Sequence, residues 1–171
     1  MSLRERRIAN ELAMLVALAE CNADVLQINA SSSNEFDVTL SRTTGLVRSM
    51  GGLVQRSEHR LTLRFPRYFP SLPIEAYFRH PVFHPNVDVS NGFACLWLDP
   101  SPRHNVFHAL QMAQALITFR TQNLDPRHLT QTEAVSATSP LPFTALVCPP
   151  DWGSATRRMR AALERRRLTS A

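Results

Sequence analysis

The feature that most constrains the fold is a change of hydrophobic period near Asn22. Before it, apolar residues recur every three or four positions, which predicts an amphipathic helix. The apolar side of this helix is expected to comprise Ile8, Leu12, Leu15, Val16 and Ala19. After it, apolar and polar residues alternate in 24–30, in 35–40 and most clearly in 60–65, as they do in half-buried strands. With a shorter strand at 74–78, the order predicts a four-stranded antiparallel meander behind a helix.

The rest of the chain divides into loops and further helices. Glycines at 45, 51 and 52 predict turn and strand material around 43–54. Regular periodicity stops between residues 81 and 99, and such a stretch inside a domain is often a functional loop. Helical spacing returns at 106–119, and a basic helix is expected from Asp151, which can serve as its N-cap. We therefore predict an α+β fold with Phe65 and Tyr68 in its core.

Length and charge indicate one main domain with a basic end. A chain of 171 residues suits a single core, so we expect a domain at 1–150 and a basic C-terminal helix or tail at 151–171. Six arginines after residue 156, against one glutamate, account for the whole formal net charge of +5. The remainder is neutral, which argues against nucleic-acid binding, since that function favours basic residues spread over one face.

Two further patterns exclude some classes of protein. The apolar run at 12–19 is short for a membrane span and follows Glu5 and Glu11, so neither a membrane partner nor a signal peptide is expected. Three cysteines lie far apart without a C-x-x-C pair, which argues against a zinc ribbon or a disulfide framework. A reducing, cytoplasmic location is consistent with this pattern.

The segment around Cys95 holds the residues best suited to take part in a chemical reaction. Cys95 follows Gly92 in the aperiodic stretch, and His84 and Asn86 precede it by eleven and nine residues. A reactive cysteine needs thiolate character, access and a donor where negative charge develops, and Asn86 can supply that donor.

The residues alone leave other interpretations open. A cysteine protease would pair its thiol with a histidine, but His84, His104 and His108 have no recognisable spacing for that role. A zinc hydrolase built from His80, His84, Cys95 and either later histidine matches no ligand motif. A packed structural cysteine is the more common case.

A longer pattern adds to these observations. Phe65-Pro66, Tyr68, Pro70, Pro73, the His84-Pro85-Asn86 tripeptide, Gly92, Cys95-Leu96 and Leu98 follow one another in an order that resembles the signature of ubiquitin-conjugating enzymes. The resemblance implies the ubiquitin-conjugating (UBC) fold, in which an N-terminal helix, a four-stranded antiparallel meander, an active-site loop and C-terminal helices follow in order. It implies no cofactor and no metal.

The resemblance also implies an activity and a set of site residues. Cys95 would accept a ubiquitin-like protein from an activating enzyme as a thioester and pass it to an amine-bearing acceptor protein. Asn86 would hold the loop or steady the oxyanion, and His84 would hydrogen-bond within the loop. Asp125 would orient or deprotonate the amine, although an aspartate before a proline also suits a turn or cap. A non-catalytic binding module of the same fold is the alternative, and the presence of both Asn86 and Cys95 argues against it.

The sequence departs from the family pattern in several ways. The spacing from Asn86 to Cys95 is one residue longer than usual, so a bulge or altered turn must absorb the extra residue. Ser71 stands where many relatives place an aromatic residue that engages ligases. Trp97 could pack under the loop or shape a groove for the tail of the carried protein. Beyond Asp125 the resemblance fades.

All 19 basic residues are arginine. Codon bias is one explanation for the absence of lysine. The other is that a carrier protein without lysine cannot become its own acceptor through a side-chain amine. Together with the departures, it suggests a bacterial member of the family, and bacterial relatives of this kind occur in gene sets linked to antiviral defence against phage.

Overall fold

The elements follow one another along the chain in the order that the change of hydrophobic period predicts. The structure, a computed structural model, describes residues 2–136 and 139–169. Its elements are α1 (Leu3–Cys21), β1 (Leu26–Ser31), β2 (Glu35–Leu40), β3 (Gly45–Ser49), β4 (Gly52–Arg56), β5 (His59–Arg64), β6 (Glu75–Phe78), β7 (Phe93–Ala94), α2 (Val106–Ile117), short 3₁₀ turns at Pro126–His128 and Thr132–Ser136, and α3 (Trp152–Thr169).

Five of the strands form the central sheet, in the order β1-β2-β5-β6-β7. All neighbouring pairs are antiparallel, so β1, β2, β5 and β6 form the predicted four-stranded meander. The expected α+β architecture is confirmed. The two-residue strand β7 adds an edge, with Ala94 opposite Ala76. Because β7 ends at Ala94, directly before Cys95, the edge of the sheet fixes the position of the Cys95 backbone.

Strands β3 and β4 form a separate hairpin between β2 and β5. Met50 and Gly51 make its turn, and Gly52 follows with a φ of 115°, a conformation that glycine adopts without steric cost. The predicted turn and strand material is therefore present, but it pairs with itself instead of extending the meander.

The buried face of β5 carries the core as the alternation predicts. Leu61, Leu63 and Phe65 are all buried. The prediction for Tyr68 is wrong, because its side chain is 64% exposed. Phe69 takes the core position instead and packs edge-on against Phe65 at a ring-centroid distance of 5.0 Å. A buried tyrosine would need a partner for its hydroxyl group, whereas phenylalanine needs none.

The predicted apolar side of α1 is only partly correct. Its buried residues are Ile8, Glu11, Ala13, Leu15, Ala17 and Leu18, whereas Leu12, Val16 and Ala19 are partly exposed. The inward position of Glu11 explains the rotation, since its carboxylate accepts hydrogen bonds from the Val106 backbone N–H at 2.7 Å and from Arg7 Nε at 2.8 Å. Glu11 thereby satisfies the N-terminus of α2. Burial raises the pKa of the Glu11 carboxyl because desolvation outweighs these two partners.

Helix α3 lies against α1. The carbonyl of Asp151 accepts the first helical hydrogen bond from the Ala155 N–H at 2.8 Å, as the expected N-terminus requires. Trp152 packs near Phe107 of α2, with ring centroids 5.8 Å apart. Within the described ranges, none of the helices combines the length and the apolar character needed to cross a membrane.

Candidate active site

Cys95 lies directly after β7 and is fastened to the His84-Pro85-Asn86 tripeptide. Its backbone N–H donates to the carbonyl of Asn86 at 2.9 Å, and Val87 bridges Ala94 beside it. The side chain of Cys95 is half-buried, so its sulfur is neither fully enclosed nor fully solvated. The two segments that the resemblance singled out are thus joined in space.

A turn between residues 88 and 92 connects the tripeptide to β7. Asp88 and Phe93 pair through a 2.8 Å hydrogen bond, and Gly92 N–H donates to Asp88 O at 2.8 Å. Gly92 has a φ of 76°, and a Cβ at this position would lie 2.0 Å from the Phe78 carbonyl oxygen. Only glycine fits this close approach. With this spacing, Cys95 lies beside the tripeptide.

The side chain of Asn86 anchors the loop that runs from residue 121 to 128. Its Nδ2 donates to the carbonyls of Asn123 at 2.7 Å and His128 at 3.0 Å, and its Oδ1 accepts from Asn123 N–H at 2.7 Å. Asn86 is buried. Both N–H bonds of the Asn86 amide therefore point to backbone carbonyls of this loop. Of the two roles that the resemblance left open, this arrangement favours holding the loop over steadying an oxyanion.

His84 holds the same loop from its other end. The fully buried ring receives the Asn86 backbone N–H on Nδ1 at 3.1 Å, and Nε2 lies 2.9 Å from the Thr121 carbonyl. This pattern fits a neutral ring with its proton on Nε2. Burial lowers the pKa of His84 to about 4 despite the Thr121 carbonyl, so the ring stays neutral at physiological pH.

Asp125 begins the short 3₁₀ turn at Pro126–His128. Its carboxylate accepts from the Arg127 backbone N–H at 3.0 Å and pairs with the Arg127 guanidinium at 2.6 Å. Hydrogen bonds from Arg127 hold the pKa of this carboxyl well below its usual range. The structure thus places Asp125 as a cap, and its carboxylate is partly exposed and ionised.

The sequence analysis missed His128. Its Nδ1 lies 3.2 Å from Cys95 Sγ, within reach of a hydrogen bond to sulfur. Burial raises the pKa of the Cys95 thiol, opposed by a weak contact to the Trp97 carbonyl. His128 lies 33 residues after Cys95, so spacing gives no signal. The one sequence clue is that it follows Asp125, the turn residue that the resemblance marked, by three positions.

Trp97 packs under the loop and also lines a groove beside it. Its Nε1 donates to the Ile74 carbonyl at 2.7 Å, which fixes the strand end under the loop. Its ring stacks on His104 with centroids 4.1 Å apart. Beside it lies a groove of about 300 Å³ lined by residues of the 96–99 segment and of α2, among them Leu98 and Met112. His104 lies at this groove, whereas His128 is the histidine that contacts the thiol.

The zinc interpretation has no support in the geometry. Within 2–136 and 139–169, no three His, Cys, Asp or Glu side chains are grouped as a metal ion would require. Both ring nitrogens of His84 are already engaged by backbone groups.

A helix, an antiparallel meander and a cysteine tied to a His-Pro-Asn tripeptide define a ubiquitin-conjugating fold. Residues 7–138 match the sequence profile of the ubiquitin-conjugating enzyme family, and the chain belongs to that family. The resemblance seen in the sequence is confirmed.

Relatives agree with this assignment. The chain is 30% identical over 124 residues to the Drosophila melanogaster ubiquitin-conjugating enzyme E2-18 kDa, covering 72% of this chain and 75% of that protein. Two solved structures share the fold at lower identity. A candidate ubiquitin-conjugating enzyme from Trypanosoma cruzi aligns with a TM-score of 0.56 at 14% identity, covering 90% of this chain and 96% of that one. Ubiquitin-conjugating enzyme E2 UbcA1 from Agrocybe aegerita aligns with a TM-score of 0.51 at 19% identity, covering 74% and 99%.

Proposed function

We propose that this protein carries a ubiquitin-like protein as a thioester on Cys95 and transfers it to an amine of an acceptor protein. The observation that carries the proposal is the position of the Cys95 thiol. It is half-buried, tied through its own backbone to Asn86 and in contact with an imidazole. A thiol in such a place suits acyl transfer, because thiolates attack thioesters and also leave well.

The reaction has two balanced steps. In the first, Cys95 Sγ attacks the thioester that joins the carried protein to an activating enzyme. The new C–S bond forms, the old one breaks, and the thiol proton ends on the released sulfur. In the second, an acceptor amine attacks the Cys95 thioester, an amide bond forms, and Cys95 regains a proton that the amine loses. No cofactor enters either step.

The neighbouring residues have distinct roles in this proposal. Asn86 and His84 position the 121–128 loop that forms one wall of the site, as their hydrogen bonds to its backbone support. Asp125 stays ionised, which makes it a weak base and a good partner for an incoming ammonium group. We therefore assign Asp125 the orienting role and not the deprotonating one.

The test is a reducible adduct that depends on Cys95. The purified protein is incubated with an activating enzyme, ATP and each of a panel of ubiquitin-like proteins, and adducts are resolved with and without a thiol reductant. Wild type is expected to form a reductant-sensitive adduct, Cys95→Ser a more resistant ester, and Cys95→Ala none. Cys21→Ser and Cys148→Ser are matched controls, because both thiols are exposed.

Two outcomes oppose the proposal. A reductant-sensitive adduct that persists in Cys95→Ala would move the acceptor site elsewhere. If wild type forms no adduct with any carrier of the panel, the non-catalytic binding module of the same fold is favoured instead.

The proposal extends to partners and setting. An activating enzyme, a ubiquitin-like protein and an amine-bearing acceptor are its expected partners, and the cytoplasm its expected location. The lysine-free composition supports a carrier protected from modifying itself, as a bacterial antiviral conjugation system would use. Substituting lysine for Arg103 or Arg127 tests that point, since self-conjugation should then increase.

A further inference from the structure

The thiol–imidazole contact has a geometry suited to proton transfer. Cys95 Sγ and His128 Nδ1 are 3.2 Å apart, and both side chains are half-buried. In the tautomer with an unprotonated Nδ1, an imidazole at this distance can accept the thiol proton, and after transfer the same contact becomes a thiolate–imidazolium pair.

The position of His128 is fixed by several independent bonds. Asn86 Nδ2 donates to the His128 carbonyl at 3.0 Å, and the His128 N–H donates to Asp125 O at 2.8 Å. Two residues further on, the Thr130 N–H donates to the Pro85 carbonyl at 2.8 Å. The loop that carries the ring is therefore fastened on both sides of it. The Asn86 side chain and the Pro85 carbonyl of the His-Pro-Asn tripeptide thus help to place this histidine.

The thiol needs such a partner. Burial raises the pKa of Cys95, so the isolated thiol would hold little thiolate at neutral pH. No other side chain in the described part of the chain is shown within hydrogen-bond distance of its sulfur; the remaining contact is the Trp97 carbonyl at 4.0 Å.

We propose that His128 is the catalytic base that takes the proton of the Cys95 thiol. This inference rests on the proposed thioester function for its biological meaning, but the chemistry at Cys95 can be measured without it.

The proton has a complete path in each step. When Cys95 attacks the incoming thioester, the proton moves from Sγ to His128 Nδ1, the S–C bond forms, and the departing sulfur takes the proton from the imidazolium. When an amine then attacks the Cys95 thioester, His128 receives the amine proton while the C–Sγ bond breaks. It returns that proton to the Cys95 thiolate, which restores the starting pair.

The charged groups beside this pair lie on the 3₁₀ turn of His128. The Asp125 carboxylate interacts electrostatically with His128 and forms an ion pair with the Arg127 guanidinium. On the side of Cys95, the sulfur also contacts the uncharged Trp97 carbonyl. The pH dependence of Cys95 reactivity should therefore report on the pair and on the Asp125 carboxylate beside it.

The test is the pH profile of Cys95 alkylation by iodoacetamide. All proteins carry Cys21→Ser and Cys148→Ser, so that Cys95 alone reacts. At pH near 7, His128→Asn is expected to react at least about tenfold more slowly than the parent protein that keeps His128. Acid–base groups contribute rate factors of this order. At pH well above the thiol pKa the two rates should converge. His80→Asn is the matched control and should leave the profile unchanged, since this histidine is exposed and lies beyond the end of β6.

A second variant separates chemistry from structure. His128→Ala leaves space for a small base, so added imidazole should restore its alkylation rate at neutral pH. Equal alkylation profiles for His128→Asn and the parent, or an absence of imidazole rescue in a folded His128→Ala, would overturn the inference. Its failure is distinguishable from failure of the proposed function: alkylation is measured without any carrier, whereas adduct formation is measured with one.

Discussion

Replacing Asn86 by alanine tests how far the loop at 121–128 depends on one side chain. The substitution removes two donated hydrogen bonds and one accepted one, at 2.7, 3.0 and 2.7 Å, all to backbone groups. At about 1 kcal/mol for each net bond, the free energy of unfolding should fall by about 3 kcal/mol. For a domain of this size that corresponds to a fall in Tm of roughly 6–12 °C.

The same change should weaken the site beyond its effect on stability. With the loop released, His128 loses the anchor on its carbonyl, and Cys95 alkylation at neutral pH should slow toward the rate of His128→Asn. Thermal unfolding by circular dichroism gives the first quantity and alkylation of the folded variant the second.

Asn29→Ala is the matched control for this prediction. Asn29 makes one part-buried side-chain bond, to Thr39 at 2.8 Å, on strand β1 at the opposite edge of the sheet from β7. It should cost less than about 1 kcal/mol and leave alkylation unchanged. A loss of stability in Asn86→Ala no larger than in Asn29→Ala, with unaltered alkylation, would refute the anchoring argument.

Two further predictions concern the turn before Cys95 and the buried carboxylate. Gly92→Ala should cost more than about 2 kcal/mol, because it combines a positive φ with a Cβ placed 2.0 Å from the Phe78 carbonyl oxygen. Gly51→Ala, with open space around it, should be near neutral, and equal effects in denaturant titrations would contradict the packing argument. Because the folded-state pKa of Glu11 is raised, its protonated form favours folding. That stability is present at low pH and lost as pH rises through the folded pKa. The free energy of unfolding of wild type, measured relative to that of Glu11→Gln, should therefore fall as pH rises above about 4. A relative stability of wild type that rises with pH would contradict this sign.

The fold could be predicted from sequence because its elements are encoded locally. Alternation in β5 fixes which side chains face inward, and the shift of period after Asn22 separates helix from sheet. Side-chain positions that depend on partners far away in the sequence could not be predicted in this way. Glu11 turns inward to cap α2, a need that arises 95 residues away. Tyr68 and Phe69 exchange roles because the turn points only one of them at the core.

The residues of the candidate site also fall into those that the sequence pattern reveals and one that it does not. Cys95, His84 and Asn86 could be found because they belong to one continuous pattern of residue types. His128 could not, since its contact with the thiol exists only after the loop is folded back by bonds to Asn86 and Pro85. A histidine in a turn has no distinctive spacing, so only the assembled loop reveals its proximity to the cysteine.

The most direct measurement is the intact mass of the protein after charging with activating enzyme, ATP and carrier, followed by peptide mapping. We expect a mass increase of one carrier less one water, lost on treatment with hydroxylamine, with the modification mapped to Cys95. A stable carrier linkage mapped to Cys21, Cys148 or the N-terminal amine, with Cys95 unmodified throughout, would contradict the central claim.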